Sequence, residues 1–235
     1  MTTPIAATIT VSKNGPYVVK GDLPVAEQHI VIDAAGQSIV WREGKSYPHE
    51  GTFKLCRCGH SKNKPFCDSS HKQVGFDGTE TASRDPYDEQ AELIDGPTLL
   101  LKDAERLCAF ARFCDPNGQV WGLVTRTDDQ EARIQFLHEA GHCPGGRLVA
   151  VDNASGSDME PRLPVSIGLV EDTRAKVSGP IWVRGGVAIQ SQDGTPYESR
   201  NRVTLCRCGT SQNKPFCDGT HVDIKFKAKS QEAGG

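Results

Sequence analysis

Residues 55–71 read LCRCGHSKNKPFCDSSH, and residues 205–221 repeat the pattern without a gap as LCRCGTSQNKPFCDGTH. Both segments follow the spacing C-x-C-x2-S-x3-P-x-C-D-x2-H. Each one therefore brings three cysteines and one histidine together on a short piece of chain. Soft thiolates combined with an imidazole are typical ligands of zinc and iron–sulfur sites. The repeat predicts two equivalent metal sites.

The first half of each motif favours a tight loop. In the first copy, Cys56 and Cys58 are two residues apart, so the chain must bend to aim both sulfurs at one site. Gly59 supplies backbone freedom just after them, and Pro65 stiffens the approach to the third cysteine. Ser61 is expected to donate a hydrogen bond to a thiolate or a sulfide.

The second half predicts a short helix. Asp68 is of the type that caps helices, with Cys67 just before the first turn. Free N–H groups at such a helix start favour bound negative charge. His71 follows Cys67 by four residues, which places both side chains on one helix face. The same reasoning applies to the second copy, whose ligand candidates and cap are Cys206, Cys208, Cys217, His221 and Asp218, with Ser211 as the hydrogen-bond donor.

Zinc is the alternative occupant of such sites, because it also accepts three cysteines and one histidine. Structural zinc sites more often use cysteine pairs spaced C-x2-4-C. The spacing C-x-C is tighter, which favours a cluster over a zinc ion without deciding between them.

Both segments resemble the CDGSH iron–sulfur domain, the mitoNEET-like family, whose signature stands here as CDSSH at 67–71 and CDGTH at 217–221. The resemblance implies one [2Fe–2S] cluster per motif. It implies that the first two cysteines of each copy hold the inner iron and that the third cysteine and the histidine hold the outer, more exposed iron. In the first copy, Cys56 and Cys58 would hold the inner iron, and Cys67 and His71 the outer iron. In the second copy, Cys206 and Cys208 would hold the inner iron, and Cys217 and His221 the outer iron. Neither copy has the family's Gly-Ser before the histidine, but small residues stand there in both.

The sequence around each motif predicts β-structure. Residues 17–20, 29–33 and 38–42 are strand-like runs, residues 52–55 lead into the first motif, and residues 15–21 match residues 179–185 before the second. We therefore predict an α+β protein with a first CDGSH domain at 1–80, a ferredoxin-like middle domain at 86–165 and a second CDGSH domain at 170–228. One such motif buries too little apolar surface to be stable alone. By resemblance to family members that pair as strand-exchanged homodimers, the two halves are expected to form an intrachain pseudo-dimer about a pseudo-two-fold axis.

The middle segment predicts alternating elements. Apolar spacing predicts a helix from Pro97 to Phe113, and residues 119–124 read as a strand. Asp128 and Glu131 form a capping box for a helix that ends near Gly141, and residues 148–151 read as a strand. This layout is weakly similar to divergent single-cluster ferredoxin domains, in which a Cys-Pro precedes a strand.

A third iron–sulfur site is conceivable in this segment, at Cys108, Cys114 and Cys143. Ordinary ferredoxin clusters need four cysteines, so His138, His142 or Asp115 would have to complete it. The favoured interpretation is a spacer whose cysteines belong to the core. His29, His49 and His60, with His138 and His142, are interpreted as surface or loop residues rather than ligands.

Composition narrows the functional classes. The formal net charge of -3 argues against a nucleic-acid partner. No apolar run is long enough to span a bilayer, and the first five residues lack the features of a signal peptide, so a cytoplasmic protein is expected. Nine cysteines in three groups of three fit metal sites better than disulfides. No recognised catalytic motif is present, so no enzyme is expected.

These observations predict an electron-transfer protein with two [2Fe–2S] clusters and possible proton coupling through the histidines. Its partner is then a redox protein, or an apo-protein that accepts a cluster, and the chain is expected to be a monomer. The alternatives are cluster transfer or iron and redox sensing, and a zinc-held interaction module. Lys62, Lys64 and Lys214 would flank the clusters. They are interpreted either as solvated charges or as groups that tune the cluster potential or dock an acidic partner.

Overall fold

The computed structural model describes residues 7–228 as an α+β fold with three β-sheets and a few short helices. The predicted fold class is confirmed. The residues at 1–5, for which no signal peptide is expected, lie outside the described part. Within residues 7–228, no helix combines the length and the apolar character needed to cross a lipid bilayer.

Twelve strands and six short helical segments make up the described part. The strands are β1 (Thr8–Val11), β2 (Tyr17–Lys20), β3 (Val25–Ile32), β4 (Ser38–Ser46), β5 (Phe53–Leu55), β6 (Glu92–Asp95), β7 (Leu99–Asp103), β8 (Leu148–Asp152), β9 (Ser166–Asp172), β10 (Val177–Arg184), β11 (Ala188–Ser191) and β12 (Arg202–Leu205). The α-helices are α1 (Ser70–Gln73), α2 (Tyr87–Gln90), α3 (Val120–Val124) and α4 (Gln130–His142), and 3-10 turns cover Glu105–Leu107 and Pro116–Gly118.

Two of the sheets exchange strands between the two repeats. The four-stranded sheet has the order β11-β1-β2-β5, and the five-stranded sheet has the order β12-β10-β9-β3-β4. Strand β11 of the second repeat pairs in parallel with β1 of the first, and β3 of the first repeat pairs in parallel with β9 of the second. Each repeat therefore pairs with a strand from the other. The pseudo-two-fold axis itself stays a prediction.

The two repeats share one apolar core. Strand β1 buries Ile9 and Val11 completely while its threonines stay partly exposed, which is the period-two pattern of a strand with one buried face. Ile181 and Val183 of β10 pack into the same cluster as these residues of β1. This core therefore joins residues from both ends of the chain.

Strand β10 is buried on both faces, and this distinguishes the second repeat. All eight of its residues are buried. Trp182 points away from the shared core and packs with Ala111 and Phe113 of the middle segment. The ring of Trp41 lies 4.7 Å from that of Phe113 and 4.8 Å from that of Trp182, between centroids. The middle segment therefore covers the sheet of the second repeat.

The middle segment forms its own sheet, β6-β7-β8, against α3 and α4. The predicted helix from Pro97 to Phe113 is wrong. Residues 99–103 form strand β7, in which Leu99 and Leu101 are buried and alternate with less buried neighbours. The apolar residues here satisfy a strand period as well as a helical one, and pairing with β8 decides for the strand. After the 3-10 turn, positive φ angles at Phe110 and Arg112 exclude a continuous helix.

Two further sequence predictions need correction. Residues 119–124 do not form a strand: Val120, Leu123 and Val124 are buried at helical spacing in α3 and pack beside α4. The predicted helix before Gly141 is present as α4 and ends at His142, but Asp128 does not cap it. Asp129 does, because its side chain accepts a hydrogen bond from the backbone N–H of Ala132 at 2.9 Å.

The stability of the middle segment is expected to depend on pH because of Glu139. Its side chain lies on the buried side of α4, Asn117 donates to one carboxyl oxygen at 3.2 Å, and the other oxygen has no hydrogen-bond partner. Burial raises the pKa of Glu139 to about 7 from an ordinary value of 4.5. The folded state therefore holds this proton more tightly than the unfolded state. The stability that protonation provides is fully present below pH 4.5 and is lost as the pH rises through about 7.

We expect Glu139→Gln to protect α4 at pH 8 by on the order of 2 kcal/mol and to give little change near pH 4.5. Hydrogen exchange of the α4 amides at the two pH values measures this. Glu131→Gln on the exposed side of the same helix is the control and should change little at either pH. An equal gain at both pH values for Glu139→Gln would contradict the assignment of a protonated, buried carboxyl.

Candidate metal centres

Backbone hydrogen bonds fold both motifs into the same loop. Strand β5 delivers Cys56, whose N–H donates to the carbonyl of Pro65 at 2.8 Å, and the N–H of Cys67 donates to the carbonyl of Lys54 at 2.9 Å. In the second motif, the corresponding bonds join Cys206 to Pro215 and Cys217 to Thr204 at the same distances, 2.8 and 2.9 Å. The strand that precedes each motif thus returns the chain so that its third cysteine stands beside its first.

The ligand candidates of each motif lie as two close pairs. In the first motif, the sulfurs of Cys56 and Cys58 are 3.8 Å apart, and the sulfur of Cys67 lies 3.5 Å from Nδ1 of His71. The second motif repeats this with 3.6 Å between Cys206 and Cys208 and 3.5 Å between Cys217 and His221. Among residues 7–228, no group of three or more His, Cys, Asp or Glu side chains converges on a single ion position.

In each C-x-C pair, hydrogen bonding stabilises the ionised form of one thiol. A hydrogen bond from the Cys58 thiol lowers the pKa of Cys56, helped by the backbone N–H groups of Ser61 and Gly59. In the second motif, a hydrogen bond from the Cys206 thiol lowers the pKa of Cys208. Thiolates are the form of cysteine that binds metals, so in each pair the neighbouring thiol stabilises the charged form of a candidate ligand.

Backbone N–H groups, rather than the predicted serine hydroxyls, contact the sulfurs. The N–H of Ser69 points at the Cys67 sulfur at 3.4 Å, and Gly219 does the same for Cys217 at 3.4 Å. The expectation that Ser61 and Ser211 donate to sulfur is wrong. Each hydroxyl instead donates to the carbonyl of a phenylalanine, at 2.6 Å in the first motif and 2.7 Å in the second, and so closes the loop.

The predicted helix after the third cysteine is present in the first motif alone. There, α1 spans four residues and its N-cap is Ser69 at φ 74°, not Asp68. The Asp68 carboxylate accepts from the N–H groups of Lys62 and Ser70, which ties the two halves of the loop together. Asp218 does the same in the second motif, where the chain forms turns in place of a helix.

The two motifs touch through their glycines. Gly59 and Gly209 have φ angles of +79° and +89°, which favour glycine. A Cβ on Gly59 would lie 2.5 Å from the carbonyl oxygen of Cys208, and one on Gly209 would lie 2.6 Å from that of Cys58. The two C-x-C loops are therefore in direct backbone contact, so the inner ligands of one site adjoin those of the other.

Tyr17 is a site residue that sequence reasoning missed. It is fully buried, and its hydroxyl donates to the carbonyls of Cys206 at 2.7 Å and Pro215 at 3.0 Å. Burial raises the pKa of Tyr17 well above its ordinary value, so the hydroxyl keeps its proton. The sequence contained a signal for this role, because the position of the second repeat that matches Tyr17 is the apolar Ile181. A polar group that is present at only one of two equivalent core positions needs a hydrogen-bond partner there.

We expect Tyr17→Phe to cost about 1–3 kcal/mol, since the buried carbonyl of Cys206 loses its hydroxyl donor and that of Pro215 keeps only the N–H of Cys206. The second motif should then lose metal faster than the first. Chelator-induced metal release from the two sites measures this. Tyr87→Phe is a matched control, because its hydroxyl also donates to two carbonyls, of Lys102 and Arg147, inside the middle segment. Equal metal loss in both variants would contradict a specific role for Tyr17.

The outer ligand pairs differ in exposure. Cys67 and His71 are partly exposed, whereas Cys217 is 2% exposed and His221 is 3% exposed. Burial lowers the pKa of His221 to about 4, with a further contribution from the charge of Arg207. The two sites share a ligand pattern but not an environment.

The middle segment and the linker cover the second site. A Cβ on Gly219 would lie 3.5 Å from Cβ of Phe110 and 3.6 Å from the carbonyl oxygen of Cys108. The side chain of Asn213 donates to the carbonyl of Arg106 at 2.9 Å. The N–H groups of residues 81 and 82 donate to the carbonyl of Lys214 at 2.7 and 2.9 Å.

The cysteines of the middle segment share one small cavity. Cys108, Cys114 and Cys143 line a space of about 20 Å³, and burial raises the pKa of Cys114 well above its ordinary value. Of the three candidates for a fourth ligand, Asp115 contacts one of these thiols, with 3.8 Å from its Oδ1 to the Cys114 sulfur. His138 and His142 lie on α4 rather than on a loop. Their rings stack on one another and bond to the carbonyls of Ile39 and His138 instead.

Comparison with known proteins identifies the class. The profile of the family described as iron-binding zinc finger, CDGSH type, matches residues 14–72 and 178–222. The chain therefore carries two tandem CDGSH domains, a type of domain that binds iron. No curated protein matches the chain significantly.

Proposed function

We propose that the chain holds two [2Fe–2S] clusters, one in each motif, and carries electrons without catalysing a reaction of its own. The observation that carries this proposal is the arrangement of each motif's ligands as two close pairs. Two pairs suit two irons, each of which takes two protein ligands. A zinc ion at about 2.0–2.3 Å from each ligand would instead need all four within about 4 Å of one another.

The donor set fits the cluster chemically. Each motif supplies three sulfurs and one imidazole, and the backbone N–H groups of Ser69 and Gly219 stabilise negative charge on the outer sulfurs. A bound cluster would supply one-electron redox chemistry. An imidazole in place of a thiolate removes one negative charge and eases reduction. The potential should therefore lie between the roughly −400 mV of all-cysteine plant-type ferredoxins and the about −150 to +300 mV of two-histidine Rieske centres.

The first site's histidine also supports proton coupling. Nδ1 of His71 faces the Cys67 sulfur, and Nε2 lies toward Gly15 on the opposite side of the ring. A ring nitrogen that is not bound to iron can accept a proton when reduction adds negative charge nearby. Electron and proton uptake at this site are then linked.

Cluster transfer is the second candidate function, and one observation favours it. The outer pair of the first site is partly exposed, so an acceptor protein can approach the iron that those residues would hold. In either function, the external partner is a redox protein or an apo-protein acceptor. We propose that the chain works as a monomer, because its two repeats already provide each other's missing strands.

Iron, acid-labile sulfide and zinc counts on protein purified without oxygen test the proposal. Two [2Fe–2S] clusters give four irons and four sulfides per chain. Zinc without iron overturns the proposal in favour of an interaction module. More than four irons show that the cysteine cavity of the middle segment is occupied too, and the variant Cys114→Ser should then return the count to four. Electron exchange faster than cluster transfer to an apo-ferredoxin distinguishes a carrier from a cluster donor.

A further inference from the structure

We propose that the first site is the docking port of this protein, and that its partner is an acidic redox protein that binds a basic groove beside it. Electrons then reach the second cluster only through the first, inside the chain. This inference rests on the proposed function, because it assumes that both motifs hold clusters.

The first argument is access. The outer pair of the first site is partly exposed, and Ser69 beside it is exposed. The matching residue of the second site, Gly219, is buried against Phe110 and Cys108. Electron exchange between proteins needs close approach to the cluster, and the middle segment occupies the space that a partner of the second site would need.

The second argument is charge. A groove of about 950 Å³ opens between the loop of the first motif and the sheet of the second repeat. Its basic lining residues are Lys45, His60, Lys62, Lys64, Arg207 and Lys227. Among the described residues that line it, Glu171 is the acidic one, and it already accepts from Arg207 at 2.8 Å and Ser178 at 2.7 Å. Because the whole chain is acidic, with a formal net charge of -3, this groove is a local reversal of sign.

The loop of the second motif carries fewer basic residues than the loop of the first. The positions that match His60 and Lys62 are Thr210 and Gln212. The backbone of the latter is covered, since its carbonyl accepts from the hydroxyl of Thr81 at 2.8 Å. The loops therefore differ in charge at the positions that face a partner in the first motif. Complementary charge steers association and sets its rate, so an acidic partner is selected for the first loop.

The third argument is the contact between the sites. Gly59, next to Cys58, touches the carbonyl of Cys208, and Gly209, next to Cys208, touches the carbonyl of Cys58. This gives a direct backbone connection between the inner ligands of the two sites. A cluster that a partner cannot reach from outside can still be reduced through its neighbour.

Stopped-flow reduction of the holoprotein by a plant-type [2Fe–2S] ferredoxin, an acidic redox protein, tests the inference. We expect Lys62→Glu to slow the reduction of both clusters by about tenfold or more at low salt, with the difference shrinking as salt is added. Gln212→Glu places the same charge at the matching exposed position of the second motif and should change the rate less than twofold. Lys62→Gln, which creates the second motif's residue at that position, should fall between.

Three outcomes would overturn the inference. One is an equal loss of rate in Gln212→Glu, and another is a second cluster that is reduced at an unchanged rate in Lys62→Glu. The third is a wild-type protein that exchanges electrons with a basic cytochrome c but not with the acidic ferredoxin. Iron and sulfide counts on every variant separate these results from a failure of the proposed function, since a chain without two clusters fails that count before any rate is measured.

Discussion

Replacing Gly59 by alanine is expected to destabilise the protein by about 3 kcal/mol or more and to deplete both clusters. A Cβ at this position would lie 2.5 Å from the carbonyl oxygen of Cys208, which belongs to the backbone and cannot turn away. The φ angle of +79° adds strain for any residue other than glycine. Because the affected carbonyl lies in the second motif, a change in the first is expected to damage both sites. Thermal unfolding and an iron count measure the two effects.

Gly186→Ala separates the two causes. Gly186 has a φ angle of +74°, close to that of Gly59, but open space surrounds the position of its Cβ. We expect this variant to lose only about 1 kcal/mol, which is the conformational cost, and to keep both clusters. Equal losses in Gly59→Ala and Gly186→Ala would contradict the close contact between the motifs.

His71→Cys is expected to lower the reduction potential of the first cluster by about 100 mV or more and to keep that cluster bound in acid that strips it from the wild type. A fourth thiolate adds negative charge and disfavours reduction. Acid competes with iron for an imidazole nitrogen, so release of the wild-type cluster increases as the pH falls. A redox titration followed by EPR, together with the loss of cluster absorbance against pH, measures both effects.

His221→Cys is the matched variant for this test. It should move the second midpoint potential and leave the first in place, while His71→Cys does the reverse. The outer pair of the second site is buried, so its wild-type cluster should also survive to lower pH than the first. Unchanged potentials in both histidine variants would refute the assignment of these side chains as ligands.

The ligand candidates of each site could be predicted from the sequence because they lie close together along the chain. Seventeen consecutive residues contain all four ligand candidates, and the loop that joins them closes through its own hydrogen bonds. The strands that lead into the motifs were readable for the same reason, since alternation is visible within a few residues. The corrections to Ser61 and Asp68 concern hydrogen-bond partners, which spacing does not specify when sulfur, carbonyl and N–H groups all lie within reach.

The sequence could not predict the strand exchange or the burial of the second site by the middle segment, because both depend on contacts between distant parts of the chain. Nothing in β3 or β11 indicates that each pairs with the other repeat. Phe110 reaches Gly219 only through the fold, and the run around Leu99 fits a helix or a strand until β8 supplies the pairing. The groove at Lys62 is lined by residues of both repeats, so the separate lysines in the sequence do not reveal it.

Joining both motifs in one polypeptide has a consequence that a pair of identical subunits cannot have. In a symmetric homodimer, every substitution appears twice, so a cover over one metal centre is also a cover over the other. Here the segment between the repeats covers the second candidate site and leaves the first partly exposed. With both motifs in one polypeptide, a substitution can change the surroundings of one candidate site without changing those of the other.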